Sequence, residues 1–371
     1  MSNFDHGWLP VIRQSLRKFF ASAAQGAKAD SSLQPGSIGT SVQAYNAGLA
    51  ALAALPGTGL IQKNGATDFS TVSLEASNAL SANIAQGRLS LADGDPTPAG
   101  EQLAKTAIYY TPFEGNLVSL FNATTSNWET HQFPQLTLDL AGLSANTNFD
   151  VFIYLDGGSP ALERVAWNNS TAGISARAES IIRKDGIYVK DSSQDRRLLG
   201  TFRTTGVVGQ CEVSKAKLLL RNIENRVPWL MLKEASSTSW VPTDTNWNPL
   251  DSDTSNRLEL IFPVIEDLQA EAKVGIANFS NNPAQYNIGI HINKATGVVE
   301  TTDHSGFNGE WFGSAFVNAI ISALFLEKEV PAGYNFLQVM ERCTVANNGN
   351  VSFDAGIGAG RTSGVAATVL Y

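Results

Sequence analysis

Three groups of residues in this 371-residue chain are of types that do chemistry. The first is the four histidines, His6, His131, His291 and His304. None stands at the HxxxH or HExxH spacing that puts two imidazoles on one zinc ion, so no zinc site is expected. Asp303, His304 and Ser305 carry the residue types of a hydrolytic triad. Adjacent residues rarely aim at one reacting centre, and triads are defined by geometry, so a solvated loop is the expectation there. No GxSxG elbow, P-loop or GxGxxG turn occurs.

The second group is Asp251-Ser252-Asp253-Thr254-Ser255-Asn256, whose alternate oxygen-bearing side chains resemble the start of a calcium loop. Asn256 stands where the sharp turn requires glycine, and Phe262 stands where a bidentate Glu would close the loop. A polar turn entering a strand near Leu258 is expected instead. The third group is the 34 Asp and Glu residues. A glycoside-cleaving pair is defined by a separation of about 5–9.5 Å in space, which sequence does not fix. Trp128, Trp167, Trp229, Trp240, Trp247 and Trp311 offer rigid faces that stack on sugars, but core or interface is the expectation for each. No catalytic residue, cofactor or metal is assigned.

Composition narrows the partners. A formal net charge of −8 and a pI of about 5.1 leave no basic field for phosphate backbones, so nucleic acid is not expected. Cys211 and Cys343 match no CxxC or ligand spacing and are expected as free, buried thiols. Arg13, Arg17 and Lys18 interrupt the apolar N-terminus, so it does not read as a signal peptide. The longest apolar stretch, Phe312 to Leu326, is too short for a membrane span and contains Asn318. A soluble protein made and folded in a cytoplasm is expected.

The elements that would position these residues come in a definite order. Trp8, Ile12, Leu16 and Phe19 recur at i, i+4, i+8 and i+11, which predicts an amphipathic helix over residues 1–20. Residues 21–39 are Ala, Ser, Gly, Gln and Lys with Pro35 and Gly36, a spacer that buries little. Val42, Tyr45, Leu49 and Leu52 have the spacing of a short associating helix, stopped by Pro56 and Gly57, so residues 21–56 read as a thin stalk. Residues 57–100 form a small hairpin region around Asn64-Gly65, and Asp93-Gly94 with two prolines marks a domain edge near Gly100.

Beyond that edge, short strand-like runs dominate, in a first β-rich domain over 101–250 and a second, jelly-roll-like one over 251–371. The fold class expected is mainly β, a β-sandwich or jelly-roll-like body behind a short helix and stalk. VSKAKLLLRNIENRVP reads as helix up to Asn225, and GSAFVNAIISALFLEKE is ambiguous between strand and helix.

ASAAQGAKADSSLQPG resembles a phrase recurrent in tailed-bacteriophage fibre chains, and QAYNAGLAALAALPGTGLIQKNGATDFSTVSL resembles the segment that follows it. The family's closing Arg-Thr is replaced here by Val72-Ser73. TAIYYTPFEGNLVSLFNATTSNW, FDVFIYLDGG, LLGTFRTT, IENRVPWLM and AGYNFLQVMERCT are similar to phrases of virion-associated phage proteins. Asn335 stands where related chains more often carry His. The resemblance implies a non-enzymatic, homotrimeric fibre subunit on the virion exterior, tail or head. Trp8, Leu9, Ile12, Leu16, Phe19 and Phe20 would attach it to other virion proteins, and Val42, Tyr45, Leu49 and Leu52 would form the trimer seam. The β body would meet a host-surface glycan or protein, without membrane insertion. Two alternatives stand beside this: a head decoration fibre without a host-range role, and a glycan depolymerase carried on a fibre.

Overall fold

Period-two alternation decides the architecture. Along Val317–Val330 the side chains of Ile321, Ala323 and Phe325 are buried, while Ile320, Ser322 and Leu326 face out. That alternation is what a strand with one covered face requires, and it resolves the ambiguous GSAFVNAIISALFLEKE as strand. The computed structural model describes residues 60–63, 68–72, 82–235, 239–241, 244–278, 284–295, 305–307, 309–313, 317–343, 351–354 and 363–370, with a few isolated positions before residue 60. It is mainly β, about 60% strand.

The chain divides into two units, Met1–Ser77 and Asn78–Tyr371. In the first, Leu60–Lys63 and Phe69–Val72 pair antiparallel with Leu60 opposite Val72, the hairpin expected around Asn64-Gly65. Leu52 is helical and half-buried. The other seam positions and the whole expected N-terminal helix lie outside the described residues.

In the second unit, Gly87–Ser90, Ala107–Pro112 and Leu136–Asp139 form a three-stranded sheet, and Leu117–Asn122 pairs with Asn127–Gln132. A six-stranded sheet centres on Asn148–Asp156 and Ser193–Arg203. An eight-stranded sheet centres on Gly333–Cys343, flanked by Arg257–Phe262 and Ala284–Ile292. A seven-stranded sheet centres on the long hairpin of Glu266–Asn278 with Val317–Val330. One apolar core draws on all of these sheets: Tyr110, Phe202, Leu260, Phe325 and Leu337 belong to the same buried cluster.

Three expectations are corrected. VSKAKLLLRNIENRVP is not helix: it supplies the short strands Lys217–Leu218 and Leu220–Asn222. Leu218, Leu219 and Leu220 are all buried, so both faces of the run are covered, and pairing with two different strands outweighs local helix propensity. The edge expected near Gly100 is crossed, because Gly87–Ser90 pairs with Ala107–Pro112 and Gln102–Lys105 pairs with Cys211–Val213. The division between 250 and 251 is crossed too, since Lys217–Leu218 runs parallel to Arg257–Phe262 and Pro228–Glu234 pairs with Gly364–Leu370.

Buried polar side chains fasten these crossings. The Arg197 side chain is fully buried and donates to the carbonyls of Ala82, Ile84 and Ser119 and to both oxygens of Glu224, at 2.7–3.1 Å. Asn222 accepts from the Leu89 N–H at 2.8 Å and donates to the Leu89 carbonyl at 3.0 Å, acting as a surrogate strand partner. Arg197→Ala is expected to cost about 3–5 kcal/mol, because it strands a carboxylate and three carbonyls. Urea denaturation checks this, and a loss below about 1 kcal/mol would remove Arg197 from that role.

Candidate functional site

The carboxyl that stands out lies on the central strand of the eight-stranded sheet. Every residue of Gly333–Cys343 except Arg342 is buried, so a carboxylate within it needs a local explanation. Arg257–Phe262 pairs with this strand only as far as Gln338, and Asn248–Pro249 takes over the freed edge, with Asn248 opposite Glu341. Just past that short strand, Asp251 (φ 61°, ψ 25°) and Ser252 (φ 56°) both adopt the left-handed conformation. Non-glycine residues pay about 1–2 kcal/mol each there.

The turn aims the Asp251 N–H at Glu341 Oε1, 3.0 Å away, while Trp240 Nε1 donates to Oε2 at 2.7 Å. Glu341 is only 5% exposed. Burial pushes its carboxyl up to about 8, and the two N–H donors pull against that without overcoming it. The nearby Asp251 charge pushes in the same direction as burial. Glu341 therefore carries a proton at neutral pH.

Beside it opens a polar cavity of about 230 Å³, whose walls include Trp240, Asp244, Asn248, Asp251 and Arg342. Asp244 accepts the Asn246 backbone N–H at 2.9 Å, and that bond with the Asn248 side chain holds its carboxylate below the usual range. The Arg342 guanidinium lies 4.7 Å over the Trp247 ring, and its Nε donates to Asn287 Oδ1 at 3.3 Å. One wall thus holds a neutral acid, two carboxylates, an amide and a guanidinium.

A second opening, about 660 Å³, lies beside Trp229 and is walled by Pro98, Glu101, Lys215 and Pro228. The Trp229 indole N–H donates to the Ser214 carbonyl at 3.1 Å, which fixes the ring. Glu101 accepts the Lys215 N–H at 2.7 Å, and Leu230 is 64% exposed at the rim. This cleft is mostly apolar and holds no buried acid.

The residues singled out from sequence fall as follows. His131 is half-buried beside Glu129, and His291 is buried with its ring 6.2 Å from that of Trp247. Asp303 and His304 lie outside the described residues. Asp253 caps a turn by accepting the Ser255 N–H and Oγ, both at 2.8 Å, and Asn256 donates to the Leu250 carbonyl, so the run from Asp251 is the expected polar turn leading into Arg257–Phe262. Among the described residues no group of three His, Cys, Asp or Glu is placed to hold a metal. Cys211 and Cys343 are buried, and neither is in a disulfide.

Trp128, Trp167 and Trp247 are buried, as core tryptophans would be, whereas Trp229 and Trp240 border the two openings. Sequence reasoning missed Glu341, Asp244 and Asn248. One signal was available for Glu341: a carboxylate inside a strand rich in apolar residues, NFLQVMERC.

No protein-family model and no curated protein matches the chain. Among solved structures, the insecticidal delta-endotoxin Cry8Ea1 from Bacillus thuringiensis is similar over 77% of this chain and 52% of that one, at 7% identity and a TM-score of 0.23. A Cry1Da tryptic core variant from Bacillus thuringiensis is similar over 79% and 54%, at 7% identity and a TM-score of 0.19. The structure of infectious bursal disease virus strain Gx is similar over 75% and 82%, at 10% identity and a TM-score of 0.12. The chain spans about half the length of the two toxins. Likenesses at these TM-scores define neither a shared fold nor a shared role.

The raised Glu341 value has a stability consequence. Between the ordinary glutamate value of 4.5 and about 8 the unfolded chain releases this proton while the folded chain keeps it. The contribution of this group to stability is therefore greatest below pH 4.5 and declines to about pH 8, by at most about 1.4 kcal/mol per pH unit. Trp240→Phe removes a donor that favours the carboxylate, so it should move the upper end of this window higher. Urea midpoints measured across pH check both statements, and an unchanged window in Trp240→Phe would refute the assignment to Glu341.

Proposed function

We propose that the chain is a structural fibre subunit on the exterior of a tailed-bacteriophage virion, attached through its N-terminus and presenting its β-rich body for host-surface attachment. The observation that carries this reading is the order of parts. A fibre-like phrase over residues 21–74 precedes a strand-rich unit over Asn78–Tyr371. The residues assigned to attachment are Trp8, Leu9, Ile12, Leu16, Phe19 and Phe20.

The body is read as a jelly-roll-like β-sandwich, because the eight- and seven-stranded sheets contribute to one core. The subunit is read as a homotrimer. Val42, Tyr45, Leu49 and Leu52 supply the seam in the stalk. Leu230, Ile320 and Leu326, exposed on the seven-stranded sheet, add apolar surface that association would cover. Sedimentation of the purified chain should give three times its 39.6 kDa mass. A stable monomer would end the trimer reading.

A second reading, a glycan depolymerase carried on the fibre, is favoured by one observation: a proton-bearing Glu341 shares a cavity with the carboxylate of Asp251. Incubation with host polysaccharide separates the two. The fibre reading predicts no new reducing ends, whereas steady release by wild-type protein that Glu341→Gln abolishes would establish the depolymerase.

A further inference from the structure

Glu341 makes a demand that its protein partners do not meet. Both of its carboxyl oxygens already accept an N–H, from Asp251 and from Trp240. In the protonated acid one oxygen also carries a hydrogen to donate, and among the described residues no acceptor takes it. A buried donor left without a partner costs about 1–3 kcal/mol, so the acceptor belongs in the cavity that Glu341 lines.

The other walls say what kind of acceptor fits. Asp244 and Asp251 accept hydrogen bonds, Arg342 donates, and the Asn248 amide does both. A metal cation would meet Arg342 and the acid proton, and an anion would meet two carboxylates. A neutral ligand whose every polar group both donates and accepts satisfies all five. Vicinal hydroxyls have that property, and the half-buried Trp240 adds an apolar edge for ring C–H groups. A volume of about 230 Å³ admits one such ring and little more.

We propose that the Glu341 cavity binds one neutral sugar unit of a glycan, with Glu341 and Arg342 donating to its hydroxyls and Asp244 and Asp251 accepting from them. The choice of a glycan rests on the host-attachment reading above; the demand for a polyhydroxylated ligand rests on the cavity itself. Among the described residues the charged and titratable groups facing the ligand are Asp244, Asp251, Glu341 and Arg342. Ionisation of Glu341 removes a donor.

The full chain labelled with 5-fluorotryptophan provides the test, the Trp240 resonance being the one that Trp240→Phe deletes. The probes are methyl α-D-glucopyranoside, methyl β-D-galactopyranoside and N-acetylglucosamine, with calcium chloride and sodium sulfate as ionic comparisons. At least one sugar should move the Trp240 resonance saturably, with a dissociation constant on the order of 1 mM. Asn248→Ala should weaken that binding about ten-fold, and so should raising the pH well above that at which Glu341 loses its proton.

The proposal is overturned if no sugar moves the resonance, if only the salts do, or if Asn248→Ala binds like wild type. Immunoblotting of purified particles is scored separately. A chain present on particles with an unmoved Trp240 resonance sinks the sugar site alone. A chain absent from particles that still binds the sugar upholds the site and sinks the fibre reading.

Discussion

The fold depends on a single constraint: polar groups taken out of water must find partners inside. In this body the partners come from far along the chain. Arg197 gathers carbonyls from residues 82, 84 and 119 and the carboxylate of Glu224 around one guanidinium. Asn222 completes the hydrogen bonding of Leu89 across 133 positions of sequence. Asp150, itself buried, is held by Arg177 on one side and by the Thr201 hydroxyl at 2.7 Å on the other. Apolar burial supplies most of the driving force and, where one face is covered, sets which side chains point inward. These directional bonds specify which strand lies against which, because a slip of one residue would leave a buried guanidinium or amide unpartnered.

The same constraint accounts for the Glu341 cavity. The neighbouring strand stops pairing at Gln338, and the chain that replaces it there is two residues long before turning through left-handed Asp251 and Ser252. The turn is costly, and what it secures is an N–H placed on a buried carboxyl. An interior carboxyl with two donors and a proton is a stable arrangement only with something polar at its open side. A structural explanation of Glu341 and a ligand-binding one therefore start from the same bonds and differ in what occupies the cavity.

Much of the strand pattern was legible in the sequence, and the reasons for the failures are physical. Runs such as FDVFIYLD and QYNIGIHIN are buried on both faces and so show no period of two in burial, yet they read correctly because aromatic and β-branched residues fill them and turn residues bound them. KLLL misled because burial on both faces erases that period, and helix propensity then fills the silence. The edge near Gly100 was read from Asp93-Gly94 and two prolines, yet the strand just before them, Gly87–Ser90, is buried: Arg88 donates to the Asn225 and Pro96 carbonyls, and Ser90 to the carbonyl of Asp95. The candidate site left one signal in the sequence, the carboxylate within NFLQVMERC, and its grouping was not legible. Glu341, Asp244 and Asn248 are brought together by a change of strand partner, and no spacing along the chain encodes such a change.

The central claim joins a β body to a particle through a thin N-terminal segment. Electron imaging of intact virions carrying a gold label on the N-terminus and a second label in the exposed loop at Val207-Val208 tests it most directly. The account predicts the N-terminal label at the particle surface and the loop label displaced outward from it. Particles that carry neither label, or that carry the loop label innermost, would contradict it.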